Sequence, residues 1–188
     1  MKLPLEITIS ILGALLVYST SWAHMRVGAI GHGGDGCPQG SLVRMGQNLE
    51  LSHFILKADA QRTLDRKACN LSIPVEVAPG TQAGILLPSV RVKGVLVSSR
   101  SELKLNAEAF ISGSKGVKAE SQLVGPRRGT REIKLGKSQV AWGACGQSVI
   151  LRLKLSAQLL NPSGRQSRIV LDRISGGAKN LILTRPCN

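Results

Sequence analysis

Residues 151–160 read LRLKLSAQLL, and apolar side chains alternate with polar ones through the first half of this stretch. Leu151, Leu153 and Leu155 fall on one side of an extended chain, while Arg152 and Lys154 fall on the other. Because successive side chains of a β-strand point to opposite faces, this period of two predicts a half-buried strand. The stretch therefore indicates a sheet with an apolar inner face and a basic outer face.

The same period recurs in short segments along the chain, separated by clusters of Gly, Pro, Ser and Asn that are typical of turns. The alternating segments are NLELSHFIL (48–56), CNLSIPVEV (69–77), VRVKGVLV (90–97), ELKLNAEAFI (102–111), RIVLDRI (168–174) and LILTRPC (181–187). One segment, DAQRTLDRKA (59–68), fits either a helical turn or a polar loop. Many short strands without a long helix predict an all-β fold, a single antiparallel β-sandwich or jelly-roll-like domain.

The first residues have the pattern of a signal peptide. Lys2 precedes the apolar run ITISILGALLVYS, and Ser21 and Ala23 are the small residues that a signal peptidase requires. We therefore expect a signal peptide over 1–23, a leader over 24–36 and the β-sandwich domain over 37–188. The mature protein would be exported to a periplasm or secreted, without a transmembrane anchor.

The chain is strongly basic, with 25 Lys and Arg against 11 Asp and Glu and a formal net charge of +14. Such an imbalance favours encounters with polyanions, and an exported protein meets lipopolysaccharide and anionic polysaccharides. The alternative is a surface adapted only for solubility. The aromatic residues that stack on nucleic-acid bases are scarce, so specific nucleic-acid binding is not expected.

The outward faces of LRLKL (151–155) and VRVK (90–93) are basic, and basic side chains are densest in GPRRGTREIKLGK (125–137). If these strands share a sheet, their outer faces form one cationic surface; otherwise the charges are dispersed. The predicted anion-binding residues are Arg127, Arg128, Arg131, Lys134, Arg152 and Lys154.

Four cysteines, Cys37, Cys69, Cys145 and Cys187, follow the predicted cleavage site. An even number in an exported chain favours two disulfides, and three connectivities are open. No pair has the C-x-x-C spacing of a zinc site, so we expect the bridges to be structural.

The glycine-rich stretch GGDGCPQGS (33–41) fits two interpretations. Its backbone could form a nest for an anion, or Asp35 could ligate calcium. Alternatively, the glycines allow a tight turn beside a disulfide. The stretch lacks the strand–helix context of a nucleotide-binding loop, which favours the structural interpretation.

Several of these motifs together resemble the secreted family known as domain of unknown function 4360. The similar pieces are GGDGCPQGS, ADAQRTLDRKAC (58–69), GPRRGTREIK (125–134), WGACG (142–146) and a C-terminal aliphatic strand that ends in a cysteine. The resemblance implies an exported all-β domain with sequential disulfides, Cys37–Cys69 and Cys145–Cys187, and it implies no activity. The chain departs from the family in its basic charge and in keeping only Phe54, Phe110 and Trp142 as aromatics after residue 23.

Two other functions remain open at this level. If cleavage follows Ala23, the amine and imidazole of His24, with His53 or His32, could chelate copper in a secreted enzyme. A structural role in a surface layer is the other alternative. The serines lack a Gly-x-Ser-x-Gly elbow, so we expect no nucleophilic catalysis and no cofactor. Trp142, three residues before Cys145, is expected to pack against a disulfide.

Overall fold

A computed structural model describes residues 25–45, 48–136, 139–175 and 181–187, and it confirms the antiparallel β-sandwich. The strands are β1 Arg26–Val27, β2 Gly31–Gly33, β3 Leu42–Met45, β4 Asn48–Leu51, β5 Ile55–Ala58, β6 Leu64–Glu76, β7 Thr81–Leu86, β8 Ser89–Leu96, β9 Glu102–Ile111, β10 Val117–Val124, β11 Arg127–Lys134, β12 Val140–Trp142, β13 Val149–Leu160, β14 Ser167–Ser175 and β15 Ile182–Pro186. Within these ranges, no helix has the length and apolar character needed to cross a membrane.

The first large sheet, sheet A, has the strand order β1-β6-β13-β9-β10, and β2 also pairs with β6. Its central strand, β13, contains the alternating stretch, with Leu153 between Leu71 of β6 and Ala109 of β9. All three side chains are buried on the inner face. The alternation of residues 151–155 therefore has its expected cause, one face in the core and one in solvent.

The second large sheet, sheet B, has the order β11-β8-β14-β4-β3, and β5 also pairs with β14. The consecutive strands β10 and β11 belong to different sheets, so the chain crosses from sheet A to sheet B at Gly125-Pro126. A third sheet, sheet C, has the order β12-β7-β15.

The core is formed by aliphatic side chains of all three sheets around Phe54, which is fully buried. A buried polar residue, Asn161, follows β13 and connects several segments. Its side-chain amide donates to the carbonyls of Ala58 and Arg165, and its oxygen accepts from the hydroxyl of Ser101 at 2.9 Å and of Ser163 at 2.6 Å. Because Ala58 belongs to sheet B and Asn161 ends a strand of sheet A, this side chain links the two sheets.

The two disulfides are the sequential pair, Cys37–Cys69 and Cys145–Cys187. Cys37 and Cys69 are fully buried, whereas Cys145 is exposed. Trp142 contacts Arg185 and Gly84. The guanidinium carbon of Arg185 lies 4.1 Å from its ring centroid, and the ring sits so close to Gly84 that a side chain at residue 84 would collide with it.

The glycine-rich stretch is a turn held against β6. Gly34 has a φ of 128°, and a Cβ there would collide with the carbonyl of Ala68. A Cβ on Gly36 would lie 2.6 Å from the Phe54 ring, and Asp35 Oδ1 accepts a hydrogen bond of 2.6 Å from the Ala68 N–H. These contacts support the structural interpretation and give Asp35 a role in the turn.

Three expectations about local structure need correction. The described part of the expected leader, residues 25–36, contains β1 and β2, which pair with β6 as part of sheet A. In segment 59–68 the chain turns and then extends from Leu64, because Asp59 Oδ1 accepts from the N–H groups of Gln61 and Arg62 and completes a short turn. The sequence APGTQAG (78–84), one of the clusters of Gly and Pro predicted to be turns between strands, contains the start of β7.

Candidate functional site

The predicted anion-binding residues lie on two different sheets. Arg127, Arg128, Arg131 and Lys134 belong to β11 in sheet B, and Arg152 and Lys154 belong to β13 in sheet A. The condition for one cationic surface, that the basic strands share a sheet, is met by VRVK in β8 and residues 127–134 in β11, whereas LRLKL in β13 lies in the other sheet. The six residues form two separate groups, with different surroundings.

The sheet A group lies among carboxylates. Lys154 is directly opposite Glu108 of β9, and Lys118 of β10 contacts Glu108 with an Nζ–Oε1 distance of 3.2 Å. Glu120 lies on the same face, one row further along β10. Opposite charges in adjacent rows cancel over short distances, so this face is mixed rather than cationic.

The β11 group is divided between two directions. Arg128 and Lys134 point outward with the exposed face of sheet B, because they pair with Val95 and Ser89 of β8. Arg127 and Arg131 have the opposite parity and line a narrow slot, beside Leu96 and Leu123, between the edge strands β10 and β11. The Arg127 Nε donates a 2.8 Å hydrogen bond to the Val124 carbonyl, which fixes this side chain at the strand edge.

A row of basic side chains crosses four strands of sheet B. Arg128 of β11 and Arg168 of β14 are both register partners of Val95, and Lys57 of β5 is the next partner beyond Arg168. At the usual strand spacing of about 4.8 Å, the row is about 14 Å wide. Lys93, two residues before Val95, adds a fourth exposed cation on the same face. We call Lys57, Lys93, Arg128 and Arg168 the basic row.

The acidic residues of this face lie at its other end. Asp172, at an irregularity in β14, binds Arg91 through two hydrogen bonds of 2.7 and 2.8 Å, and Glu50 lies 3.2 Å from Arg173. Glu132 is the register partner of Arg91. The hydrogen bond that Asp172 accepts from Arg91 raises the pKa of Arg91 above its usual value, so this guanidinium stays charged. Its charge is balanced by the Asp172 carboxylate beside it. Within the described ranges, no residue of the basic row has an ion-pair partner.

A shallow groove of about 370 Å³ continues the basic row at the end of sheet B. Arg127, Arg128 and Arg165 are its basic lining residues, and Val95, Leu96, Val97 and Pro126 complete the lining. Guanidinium forks bind the paired oxygens of phosphate, sulfate or carboxylate. The groove and the basic row together present six basic side chains to solvent: Lys57, Lys93, Arg127, Arg128, Arg165 and Arg168.

Sequence reasoning passed over Lys57, Lys93, Arg165 and Arg168 as site residues. The signal for Arg168 and Lys93 is present, since both alternate with buried residues in RIVLDRI and VRVKGVLV. What the sequence lacks is the strand order β11-β8-β14, which brings segments about 40 and 75 residues apart into one row.

The copper alternative involves three histidines, of which two lie among the described residues. His24 lies outside the described residues. The His53 Nδ1 is 2.7 Å from the Ser52 hydroxyl. His32, in β2, is the register partner of Leu71 in β6. In the part of the chain that the structure describes, no group of three or more His, Cys, Asp or Glu is placed to hold a metal ion.

The family model for Domain of unknown function (DUF4360) matches residues 23–185, which include the Cys37–Cys69 disulfide, Cys145 of the second bridge and every strand except the last residue of β15. The chain belongs to the DUF4360 family. No curated protein matches it. Among solved structures, this DUF4360 chain is similar to TmCBM61, a chain solved in complex with beta-1,4-galactotriose, at 14% identity over 87% of this chain and 88% of that chain, with a TM-score of 0.27. Nothing about a ligand follows from so distant a likeness.

Proposed function

We propose that this DUF4360 protein is an exported, non-enzymatic binder of anionic polymers, and that it holds them on the basic row and the adjoining groove. The observation that carries the proposal is the in-register placement of Arg128, Arg168 and Lys57 across sheet B, while Asp172 and Glu50 of that face form ion pairs with Arg91 and Arg173. Cations placed along one line, about 10 Å apart between Arg128 and Arg168 and about 5 Å apart between Arg168 and Lys57, suit a ligand with repeated charges.

The chemistry of the row favours phosphate, sulfate or carboxylate groups on a flexible polymer. Three arginines line the groove, where guanidinium groups can form bidentate hydrogen bonds. Lys57 and Lys93 are exposed point charges that tolerate variable geometry. The two disulfides are typical of proteins that fold in an oxidising compartment, and the polyanions that an exported protein meets include lipopolysaccharide and acidic polysaccharides.

The experiment compares two variants that lose the same charge from opposite sheets. The test variant carries Lys57→Gln, Arg128→Gln and Arg168→Gln. The matched control carries Arg66→Gln, Lys104→Gln and Arg152→Gln, which remove three cations from the outer face of sheet A. Retention of each protein is measured on immobilised lipopolysaccharide, polygalacturonate and duplex DNA over a series of salt concentrations.

We expect the test variant to lose most retention on at least one polymer and to show a shallower dependence on salt, because fewer counterions are released on binding. The control is expected to keep both properties. Equal losses in the two variants would show that only net charge matters and would overturn the assignment to sheet B. Loss of all retention by the unmodified protein at about 0.15 M salt would overturn the proposed function, leaving generic electrostatics.

A further inference from the structure

A second groove lies on the opposite side of the molecule, on the outer face of sheet A. It has a volume of about 440 Å³, within the range of roughly 300–1,000 Å³ that is typical of small-ligand pockets. Three adjacent strands, β9, β10 and β13, supply its walls. Six outward side chains line it: Asn106, Glu108, Lys118, Glu120, Lys154 and Ser156. We call these six residues the polar groove.

The register of sheet A arranges the polar groove as two rows. Lys154, Glu108 and Lys118 form one row across β13, β9 and β10, and Ser156, Asn106 and Glu120 form the next. The main chain at Ala107 and Ala119, whose side chains have the inward parity, completes the lining. The groove has depth because Ser156 and Asn106 are short and lie between longer Lys and Glu side chains.

The charges of the polar groove cancel. Two lysines face two glutamates, and the Lys118 Nζ lies 3.2 Å from Glu108 Oε1. A polyanion approaching this groove would meet two carboxylates, so the groove is unsuited to the ligand of the basic row. An apolar ligand would remove six polar side chains from water without offering them hydrogen bonds, which is costly.

The hydrogen-bonding groups of the polar groove match a ligand rich in hydroxyls. Lys118 and Lys154 only donate, Glu108 and Glu120 only accept, and Asn106 and Ser156 do both. A sugar hydroxyl also donates and accepts, so each one can use two neighbours in such an array. Phe110, on the outer face two residues beyond Glu108 and opposite Arg152, adds apolar surface for the C–H face of a sugar ring.

We propose that the polar groove binds an uncharged carbohydrate chain. The site would be independent of the basic row, because the two lie on different sheets. Its binding would also differ physically, since hydrogen bonds to neutral hydroxyls depend little on ionic strength while contacts to a polyanion are screened.

The test measures retention on immobilised neutral galactan, xylan, mannan and glucan at 0.5 M NaCl, where long-range electrostatics are screened. The variant Asn106→Ala with Glu120→Ala removes one amide and one carboxylate from the groove. The matched control, Gln122→Ala with Gln158→Ala, alters polar side chains on the same face and strands outside the groove. Thermal unfolding of all proteins confirms that the substitutions leave the fold intact.

We expect retention on at least one neutral polymer, a loss of about tenfold or more in the groove variant, and no change in the control. The basic-row variant should keep this retention, so failure of one proposal is distinguishable from failure of the other. Absence of retention on all four polymers would overturn the proposal. So would an equal loss in the groove variant and the control.

Discussion

Arg128 and Arg168 lie on opposite sides of Val95, each as its register partner from a neighbouring strand. The two guanidinium groups therefore come from strands that are not adjacent, β11 and β14, yet occupy one line across sheet B. Their backbone positions are about 10 Å apart at ordinary strand spacing. Like charges at that distance are tolerated in water because salt screens them, and they become useful when an anionic chain lies across both.

Single substitutions on β14 can separate specific contact from net charge. Arg168 belongs to the basic row, whereas Arg173 of the same strand is 3.2 Å from Glu50. We expect Arg168→Gln to lower the affinity for an anionic polymer about three- to tenfold and to reduce the steepness of its salt dependence. Arg173→Gln should change affinity much less, because Glu50 already neutralises that side chain. Titration of labelled polymer at several salt concentrations measures both, and equal effects would contradict the placement of the site.

The tight turn at residues 34–36 is expected to be sensitive to substitution of Gly34. Gly34→Ala combines a positive φ with a collision at the Ala68 carbonyl, while Gly129→Ala has a φ of 110° and no atom within 4 Å of the new Cβ. We expect Gly129→Ala to lower the free energy of unfolding by about 1–2 kcal/mol through its backbone alone. Gly34→Ala should cost a further 1–3 kcal/mol or so, because β6 or the turn must shift. Chemical denaturation gives both values, and similar losses would mean that the turn moves freely.

The sequence predicted the positions of several strands well, but it did not predict which strands are neighbours in each sheet. Alternation located β9 at residues 102–111 and predicted the ends of β8, β13 and β14 to within one or two residues. It succeeded because one face of each strand is buried and the other is exposed to solvent. It missed β10, in which most inward side chains are only partly buried at the sheet edge, so the apolar residues do not stand out.

Strand order could not be obtained from the same signal, since period-two alternation says which face is inside and nothing about which strand lies beside it. Arg152 alternates with leucines and Arg128 lies in the most basic stretch of the chain, and nothing in either pattern shows that β13 and β11 belong to different sheets. The position of Lys57 in the basic row could not be predicted for the same reason. Only the pairing of β5 with β14 brings it next to Arg168.

The buried amide of Asn161 is expected to be important for stability. Asn161→Ala would remove its bonds to the Ala58 carbonyl and the Ser101 hydroxyl, leaving buried polar groups without partners. The expected loss in the free energy of unfolding is about 2–3 kcal/mol. Asn106→Ala is the control, because this asparagine is exposed on sheet A and has no such network. A loss below about 0.5 kcal/mol for Asn161→Ala would mean that water replaces the side chain without cost.

The two disulfides should differ in their resistance to reduction. Cys37 and Cys69 are completely buried beneath the glycine-rich turn, while Cys145 is exposed in the loop between β12 and β13. A thiolate must reach a sulfur atom to attack it, so accessible bridges react first. Under mild reductant without denaturant, we expect Cys145–Cys187 to open while Cys37–Cys69 stays closed. Alkylation followed by peptide mass spectrometry identifies which thiols become free over time.

Opening Cys145–Cys187 should leave polymer binding largely intact. This bridge holds the ends of sheet C, whereas the basic row is built on β5, β8, β11 and β14 of sheet B. The variant with Cys145→Ser and Cys187→Ser is therefore expected to melt at a lower temperature and to retain its affinity for an anionic polymer at temperatures where it is folded. The stability loss should be about 2–4 kcal/mol, the usual effect of a bridge that closes a loop of this size. Loss of affinity in the folded double variant would show that sheet C supports the binding surface. In the reduction experiment, simultaneous reduction of both bridges would show that the turn at Cys37 opens as readily as the exposed loop.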